Sequence, residues 1–251
     1  MRKNIFLTIT MTFAVSNLLA GPEKHDHLEA YKKALVEING PAEELVKDAN
    51  GNQLAKAIYT YNDKKQIREI KYYNNATLNG RNVFEYDEIG LKQEELFDKN
   101  NKLIEKLVYT RNKQNQVTEF EVFDAKNVSI VKWKFQYDGK RVVSGSRYIN
   151  NEVTEKFINK YNASGMVQQI FVDNSESAGN ITVNMENSKV TRRVKKEAIG
   201  VHSIDYFYDN QGRIEKMIFS KINDTKTEVE KTHLFNYTLP YMVAPLKVTE
   251  N

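Results

Sequence analysis

A short pattern recurs along most of this chain and limits its possible folds more than any other feature. Its clearest copy is Tyr206-Phe207-Tyr208-Asp209-Asn210-Gln211-Gly212-Arg213-Ile214: an aromatic strand, a turn ending in Gly, and a strand that restarts with Arg-Ile. With the place of Tyr208 as anchor, Tyr61, Tyr86, Tyr109, Tyr137, Tyr161, Met185, Tyr208 and Phe235 fall in line at gaps of 25, 23, 28, 24, 24, 23 and 27 residues. An aliphatic residue restarts the pattern after the turn, at Ile67, Leu91, Val117, Val142, Met166, Val190 and Ile214. Half-way between anchors lies a second aromatic-plus-polar turn: Tyr73-Asn74, Phe97-Asp98, Phe123-Asp124 and Tyr148-Ile149-Asn150. Self-similarity at a fixed period is the strongest architectural signal a sequence carries. Here it means one strand and one turn per roughly twelve residues.

Asp and Asn suit such turns because their side chains bond their own backbone and tolerate left-handed φ, and Gly has no Cβ to clash. Runs of Val, Ile, Tyr, Phe and Thr between them read as strands. No segment after residue 54 sustains a helical period. The expected fold is all-β: a long antiparallel meander of about fifteen short strands, with a short N-terminal helix.

Strand faces follow from alternation. Val131, Trp133, Phe135 and Tyr137 point one way, and Lys132, Lys134 and Gln136 the other. Phe120 and Val122 oppose Glu119 and Glu121, and Ile204, Tyr206 and Tyr208 share a face. Leu103, Glu105, Leu107 and Tyr109 face away from Ile104, Lys106 and Val108, so both sides there carry apolar groups. A sheet of this length curls, closes or folds over itself. Three shapes follow, a half-barrel, a closed barrel and a long twisted sheet, and a curved or rolled sheet is the expectation. The density of Lys and Glu on the strands argues against a barrel facing lipid.

Hydrophobic residues make up 40% of the 251-residue chain and mean hydropathy is −0.62, so a large two-sided core is not expected. The net charge is +4, of which two charges belong to Arg2 and Lys3. Interspersed signs give no electrostatic case for nucleic acid. Arg2-Lys3 followed by Ile5 to Leu19 has the basic and apolar regions of a secretory signal peptide, with cleavage after Ser16 or Ala20. There is no cysteine, which excludes disulfides, thiol chemistry and lipoprotein acylation. Together these features point to a bacterial protein that is exported, periplasmic or secreted, and not a lipoprotein.

The expected organisation is residues 1–20 as signal peptide, 21–53 as a helical capping segment, 54–238 as the β-repeat domain and 239–251 as a tail. Leu28, Tyr31, Leu35 and Ile38 form one apolar helical stripe, stopped by Asn39-Gly40-Pro41. Residues 42–48 read equally as a second short helix or as a first strand.

At Tyr208-Asp209-Asn210-Gln211-Gly212-Arg213-Ile214 the chain resembles the YD repeat of bacterial RHS-type proteins, whose unit begins Tyr-Asp-x-x-Gly-Arg-Leu/Ile. Tyr161 to Met166 and Tyr86 to Leu91 are looser matches, and Tyr137 to Val142 is a shortened one. The likeness spans residues 54–237. It implies a long exported or surface β-sheet. The chain has too few repeats for the toxin-enclosing shells of the larger members, and no toxin domain.

Candidate chemistry is sparse. His25-Asp26-His27 offers two imidazoles, but in a charged segment such a pair is usually solvated. His202 and His233 lie in strands without companion ligands and read as ordinary sheet residues. Glu94-Glu95 reads as part of a solvated ladder rather than as an acid/base pair. Asp205 faces solvent, and Ser144-Gly145-Ser146 lacks the frame of a nucleophile elbow. Arg192-Arg193-Val194-Lys195-Lys196 is the one basic cluster, spread by alternation over both faces; a solvated strand fits it better than an anion-binding patch. Trp133, Phe135 and Tyr137 read as core rather than as a ligand groove. No catalytic residue, metal site or cofactor is expected, and the binding residues stay unassigned. The reading is a non-catalytic binding or structural module of the bacterial envelope, with a protein, a glycan or an apolar ligand as partner. Its alternative is a periplasmic carrier holding a lipid or other apolar ligand on the aromatic face, which needs part of that face uncovered.

Overall fold

The structure, a computed structural model, describes residues 41–237 except 75, 164, 173–179, 188, 198–199 and 224–225. The expected signal peptide, helical stripe, His25-Asp26-His27 and C-terminal tail lie outside the described residues.

Sixteen strands follow one another. They are β1 (Glu43–Asp48), β2 (Gln53–Tyr61), β3 (Ile67–Asn74), β4 (Thr77–Tyr86), β5 (Leu91–Asp98), β6 (Leu103–Arg111), β7 (Val117–Asp124) and β8 (Ser129–Asp138), then β9 (Arg141–Ile149), β10 (Glu152–Asn162), β11 (Gly165–Val172), β12 (Asn180–Glu186), β13 (Lys189–Glu197), β14 (Gly200–Tyr208), β15 (Ile214–Asn223) and β16 (Lys226–Asn236). Each pairs antiparallel with the next, and β1 pairs with β16 from Glu43↔Asn236 to Asp48↔Lys231. The sheet is therefore a closed barrel, not the curved or rolled sheet expected. The strand that closes it comes from residues 43–48, inside the segment expected to cap; of the two readings of 42–48, the strand forms. Closure removes both edges of the meander and satisfies their backbone groups.

One turn design recurs at both rims. Asp48, Asn62, Asp98, Asn112, Asp124 and Asp209 each accept, on one side-chain oxygen, the backbone N–H groups two and four residues on, at 2.8–3.0 Å. The residue three places on takes positive φ: Gly51 at 86°, Lys65 at 61°, Asn101 at 63°, Asn115 at 63°, Asn127 at 62° and Gly212 at 82°. This is the three-residue hairpin in which a type I turn is followed by a left-handed residue. The backbone bonds pull the carboxyls down: the Asn52 side-chain amide and backbone N–H lower Asp48, and the Gly90 and Ile89 N–H groups lower Asp87.

A second regularity sits at one rim. Beside it the register shifts between Thr60/Tyr61, Glu85/Tyr86, Thr110/Arg111, Gln136/Tyr137, Lys160/Tyr161, Asn184/Met185 and Phe207/Tyr208. Such bulges add twist and re-aim side chains. They let the anchor tyrosines reach back one hairpin. Tyr61, Tyr137, Tyr161, Tyr208 and Tyr237 donate to the carbonyl oxygens of Pro41, Val117, Val142, Val190 and Ile214, at 2.7–2.9 Å. Four of those acceptors are restart residues. Two anchors need correcting: Arg111, not Tyr109, pairs with Val117 at the rim, and Tyr237, not Phe235, makes the last hook.

The inner face carries the core. Phe120, Trp133, Phe135, Phe157 and Phe171 form a chain of ring contacts with centroids 5.7–6.4 Å apart, Trp133 and Phe135 stacked within 10° of parallel. Leu91, Leu107, Val117, Val122, Val142, Met166, Ile181, Val183 and Val190 pack around them. Each large side chain withdrawn from water contributes about 1.5–3 kcal/mol. That concentrates the stability of a polar chain on one face.

Candidate functional site: the inner wall of the barrel

The inner wall also holds charged and amide groups, placed there by register. Glu44 is nearly inaccessible (3%); its two oxygens meet His233 Nδ1 of β16 and the Tyr59 hydroxyl of β2, the latter at 2.7 Å. His233 lies against the Phe219 ring with centroids 4.7 Å apart. On the same face Tyr109 donates to Glu94 at 2.7 Å, and burial followed by the Glu94 charge raises the Tyr109 phenol well above its usual value. Gln169 donates through Nε2 to Asn159 Oδ1 at 3.0 Å, and Asn159 donates through Nδ2 to the Val142 carbonyl. Burial raises Glu105 and lowers Lys231, whose ammonium sits 4.6 Å from the centre of the Phe219 ring.

Toward the rim away from the tyrosines, basic side chains face inward. Lys195 of β13 stands opposite His202 of β14, which stands opposite Lys221 of β15. Lys195 shares its face with the buried Ile181, its cross-strand partner on β12.

The outer wall follows a different rule. Lys132 pairs with Glu121 at 3.1 Å and Glu119 at 3.5 Å, Lys92 with Glu85 at 2.7 Å, and Arg192 with Asp205 at 3.3 Å. Arg81 and Lys106 lie over the rings of Phe97 and Phe123, at 4.4 and 5.2 Å. These outward cations are covered by carboxylates or by aromatic faces of neighbouring strands.

Sequence reasoning placed Asp205 on the solvent side and Trp133, Phe135 and Tyr137 in the core, as found. It spread the basic cluster over both faces, as found: Arg193 and Lys195 share the inner face, and Arg192 lies outside beside Asp205. Four readings change. Arg193 is buried at 6% rather than part of a solvated strand. Glu94 is buried at the Tyr109 hydroxyl and Glu95 stands opposite Lys106, so the two carboxylates point to opposite faces. His233 is not an ordinary sheet residue but part of the barrel's closing contact. Glu44 was missed altogether, because its partner lies 189 residues away and no local pattern marks it. Ser144 donates to Gln136 on the outer face, and Gly145 lies under the Phe157 ring.

Fold and site together define a closed sixteen-stranded antiparallel barrel with a packed aromatic interior and a charged exterior. No family model matches the chain, and no curated protein matches it. Among solved structures, a porin-like protein from Bacteroides uniformis shares 11% identity over 78% of this chain and 96% of its own, with a TM-score of 0.50. A porin-like protein from Bacteroides vulgatus shares 9% over 79% and 99%, at 0.47. A protein of unknown function from Bacteroides fragilis shares 12% over 51% and 91%, at 0.25. The first likeness shows the fold alone.

Proposed function

We propose that this chain is an exported, water-facing β-barrel of the bacterial envelope that works as a non-catalytic binding or structural module. The distribution of side chains carries the reading: aromatics packed inside, ion pairs outside. Lys71, Lys106, Lys132, Lys134, Lys156 and Arg192 all point outward from the middle of their strands. In a bilayer each midplane cation costs about 2–4 kcal/mol, so six cost about 12 kcal/mol or more, comparable with the whole stability of a domain. A lipid-facing wall is a poor fit to those residues, whatever the strand count.

The inner wall bears on the carrier alternative. Trp133 and Phe120 are 0% accessible and Phe157 is 1%, so the aromatic face is filled by protein rather than open to an apolar guest. The divergence of Glu94 and Glu95 likewise favours a non-catalytic role. The resemblance of Tyr208 to Ile214 to the YD repeat, and the signal-like N-terminus, support export.

Two measurements on the native host test this. Fractionation is expected to release the protein with the periplasm or medium, or from membranes by carbonate wash; retention until detergent is added would overturn the water-facing reading. Native mass spectrometry is expected to show no organic-extractable adduct. A reproducible one would restore the carrier.

A further inference from the structure

Several inward polar side chains are matched across strands, and a pair on β4 and β6 is not. Glu44 meets Tyr59 and His233, Glu94 meets Tyr109, and Asn159 joins Gln169 to the Val142 carbonyl. Asn82 and Glu105 depart from that pattern. Register sets them in one inward row, with Asn82 opposite Leu96 and Leu96 opposite Glu105. Asn82 is 4% exposed and Leu96 7%, whereas Glu105 is half-buried. Among the described residues no donor reaches Asn82 Oδ1 or Glu105 Oε2, and no basic side chain pairs with Glu105. Burial raises the Glu105 carboxyl, with no neighbouring cation to offset it.

An unmatched acceptor withdrawn from water carries a desolvation cost, which a bound donor removes. Both open atoms are acceptors, so the complementary group is a donor, and the unpaired carboxylate favours a cation. Asp124 adds negative charge on the same side. It stands opposite Glu105, and its Oδ1 accepts the N–H groups of Lys126 and Val128. Among the described residues no three acids or histidines gather as metal ligands. Two acceptors on an apolar wall suit instead a group that brings its own hydrogens. Asn82 and Glu105 lie two strand spacings apart, about 9–10 Å, a span that one nitrogen bonded to both side chains can close. Ile70, opposite Asn82 on β3, and Leu96 give the row an apolar floor. The next inward place on β4, toward the rim away from the tyrosines, is Gly80. It admits no side chain, since a Cβ would lie 2.6 Å from the Phe97 carbonyl oxygen. The approach to Asn82 along its own strand is therefore bare.

We propose that Asn82 and Glu105 form a site for the primary ammonium group of a small amine, bound over Leu96. An ammonium has N–H donors and no acceptor, which is the complement of a carboxylate and an amide oxygen. Glu105 supplies the charge and Asn82 the direction, and a charge-assisted bond is the stronger of the two. Ile70 and Leu96 suit a short alkyl stem. An unpaired, half-buried acid lowers the stability of the chain without ligand, which is the pattern of a binding residue rather than a folding one. The proposal rests on the reading of the chain as a binding module and names its ligand chemistry.

The test is a titration of the isotope-labelled full chain with n-propylammonium chloride at neutral pH, followed by NMR. Saturable shifts are expected at the Asn82 side-chain amide and at backbone amides of β4 to β6. Tetramethylammonium has the charge without an N–H, and 1-propanol has the stem without the charge. Each is expected to bind at least about tenfold more weakly. Glu105→Gln is expected to weaken propylammonium about tenfold or more, while Glu121→Gln on the outer wall leaves it within about twofold. Glu105→Gln keeps the shape of the side chain and is expected to melt no lower than the parent without amine, so its loss of binding is not a loss of fold. The absence of a saturable shift overturns the site, as does equal binding of tetramethylammonium or undiminished binding by Glu105→Gln. The envelope reading is tested by fractionation alone, so either can fail without the other.

Discussion

Lys65 shows how closely the turns are tuned at the scale of single residues. It occupies, at φ 61°, the left-handed place that Gly51 and Gly212 fill in the same turn elsewhere. A Cβ there costs about 1–2 kcal/mol, part of which glycine returns as unfolded-state entropy. Lys65→Gly is therefore expected to stabilise the barrel by about 0.5–1 kcal/mol, read as a higher urea midpoint. Gly145 is the opposite case. A Cβ there would lie 2.1 Å from Phe157 Cζ and 3.0 Å from Phe135 Cδ1, with a ring closing over the strand from either side. Gly145→Ala is expected to cost about 1–3 kcal/mol, and combining it with Phe157→Leu should recover part of that in a double-mutant cycle. Glu105 adds a pH effect. Its folded pKa is raised above the ordinary 4.5 by burial, and among the described residues no donor reaches its Oε2. A raised acid contributes stability fully below its unfolded value and loses it as pH rises through the folded one. Glu105→Gln lacks that loss. Urea midpoints of the two proteins should converge below about pH 4 and separate in favour of the variant at neutral pH.

At the scale of the element, the unit is a hairpin tied to its predecessor by a phenol. Burial pushes the Tyr208 phenol up to about 12, so it remains a donor throughout the neutral range. Tyr137→Phe removes the phenol that donates to the Val117 carbonyl and is expected to cost about 1 kcal/mol. Tyr161→Phe should cost less, because Asn159 Nδ2 still donates to the Val142 carbonyl at 2.9 Å. Thermal melts of the two variants decide the order. Strands, turns and faces were legible in the sequence because each depends on neighbours within a dozen residues: alternation sets the face, and Asp or Asn sets the turn. The anchors were legible only in part. Tyr109 was taken as a rim residue because it is aromatic, yet the register shift that falls just before Tyr61 and Tyr137 falls here just before Arg111, so Arg111 holds the anchor place opposite Val117 and Tyr109 lies two residues inward, opposite Phe120. The anchor place of this repeat holds Arg rather than an aromatic residue, and an aromatic residue lies two positions before it on the same face, which is why aromatic identity misled where register did not.

The whole molecule depends on one contact that no local pattern announces. Fifteen of the sixteen strand pairings join neighbours in sequence; the last joins residues 43–48 to 231–236. Glu44 looked like one more polar residue in an ambiguous segment, and its meaning appears only when β16 arrives. The row of inward basic side chains was hidden for a related reason: Lys195 was visible as part of a basic cluster, but its juxtaposition with His202 and Lys221 is set by the pairing of three strands. Closure gives the sharpest test of the architecture, because β1 presents two glutamates with opposite surroundings. Glu44 is buried between His233 and Tyr59, whereas Glu43 pairs with Lys56 on the outer wall, where both side chains are about one-third exposed or less (27% and 33%). Removing one partner of a buried, hydrogen-bonded pair costs about 3–5 kcal/mol, while an exposed pair contributes about 0–1 kcal/mol. Glu44→Ala is accordingly expected to lose several-fold more stability than Glu43→Ala, although the two positions are adjacent. Hydrogen exchange locates the loss. In Glu44→Ala the amides of β1 and β16 should exchange far faster than in the parent while those of β7 to β10, around Trp133, keep their protection. Uniform loss of protection around the ring would mean that closure is shared among all sixteen strands and that the Glu44–His233 contact is not the fastening it is argued to be.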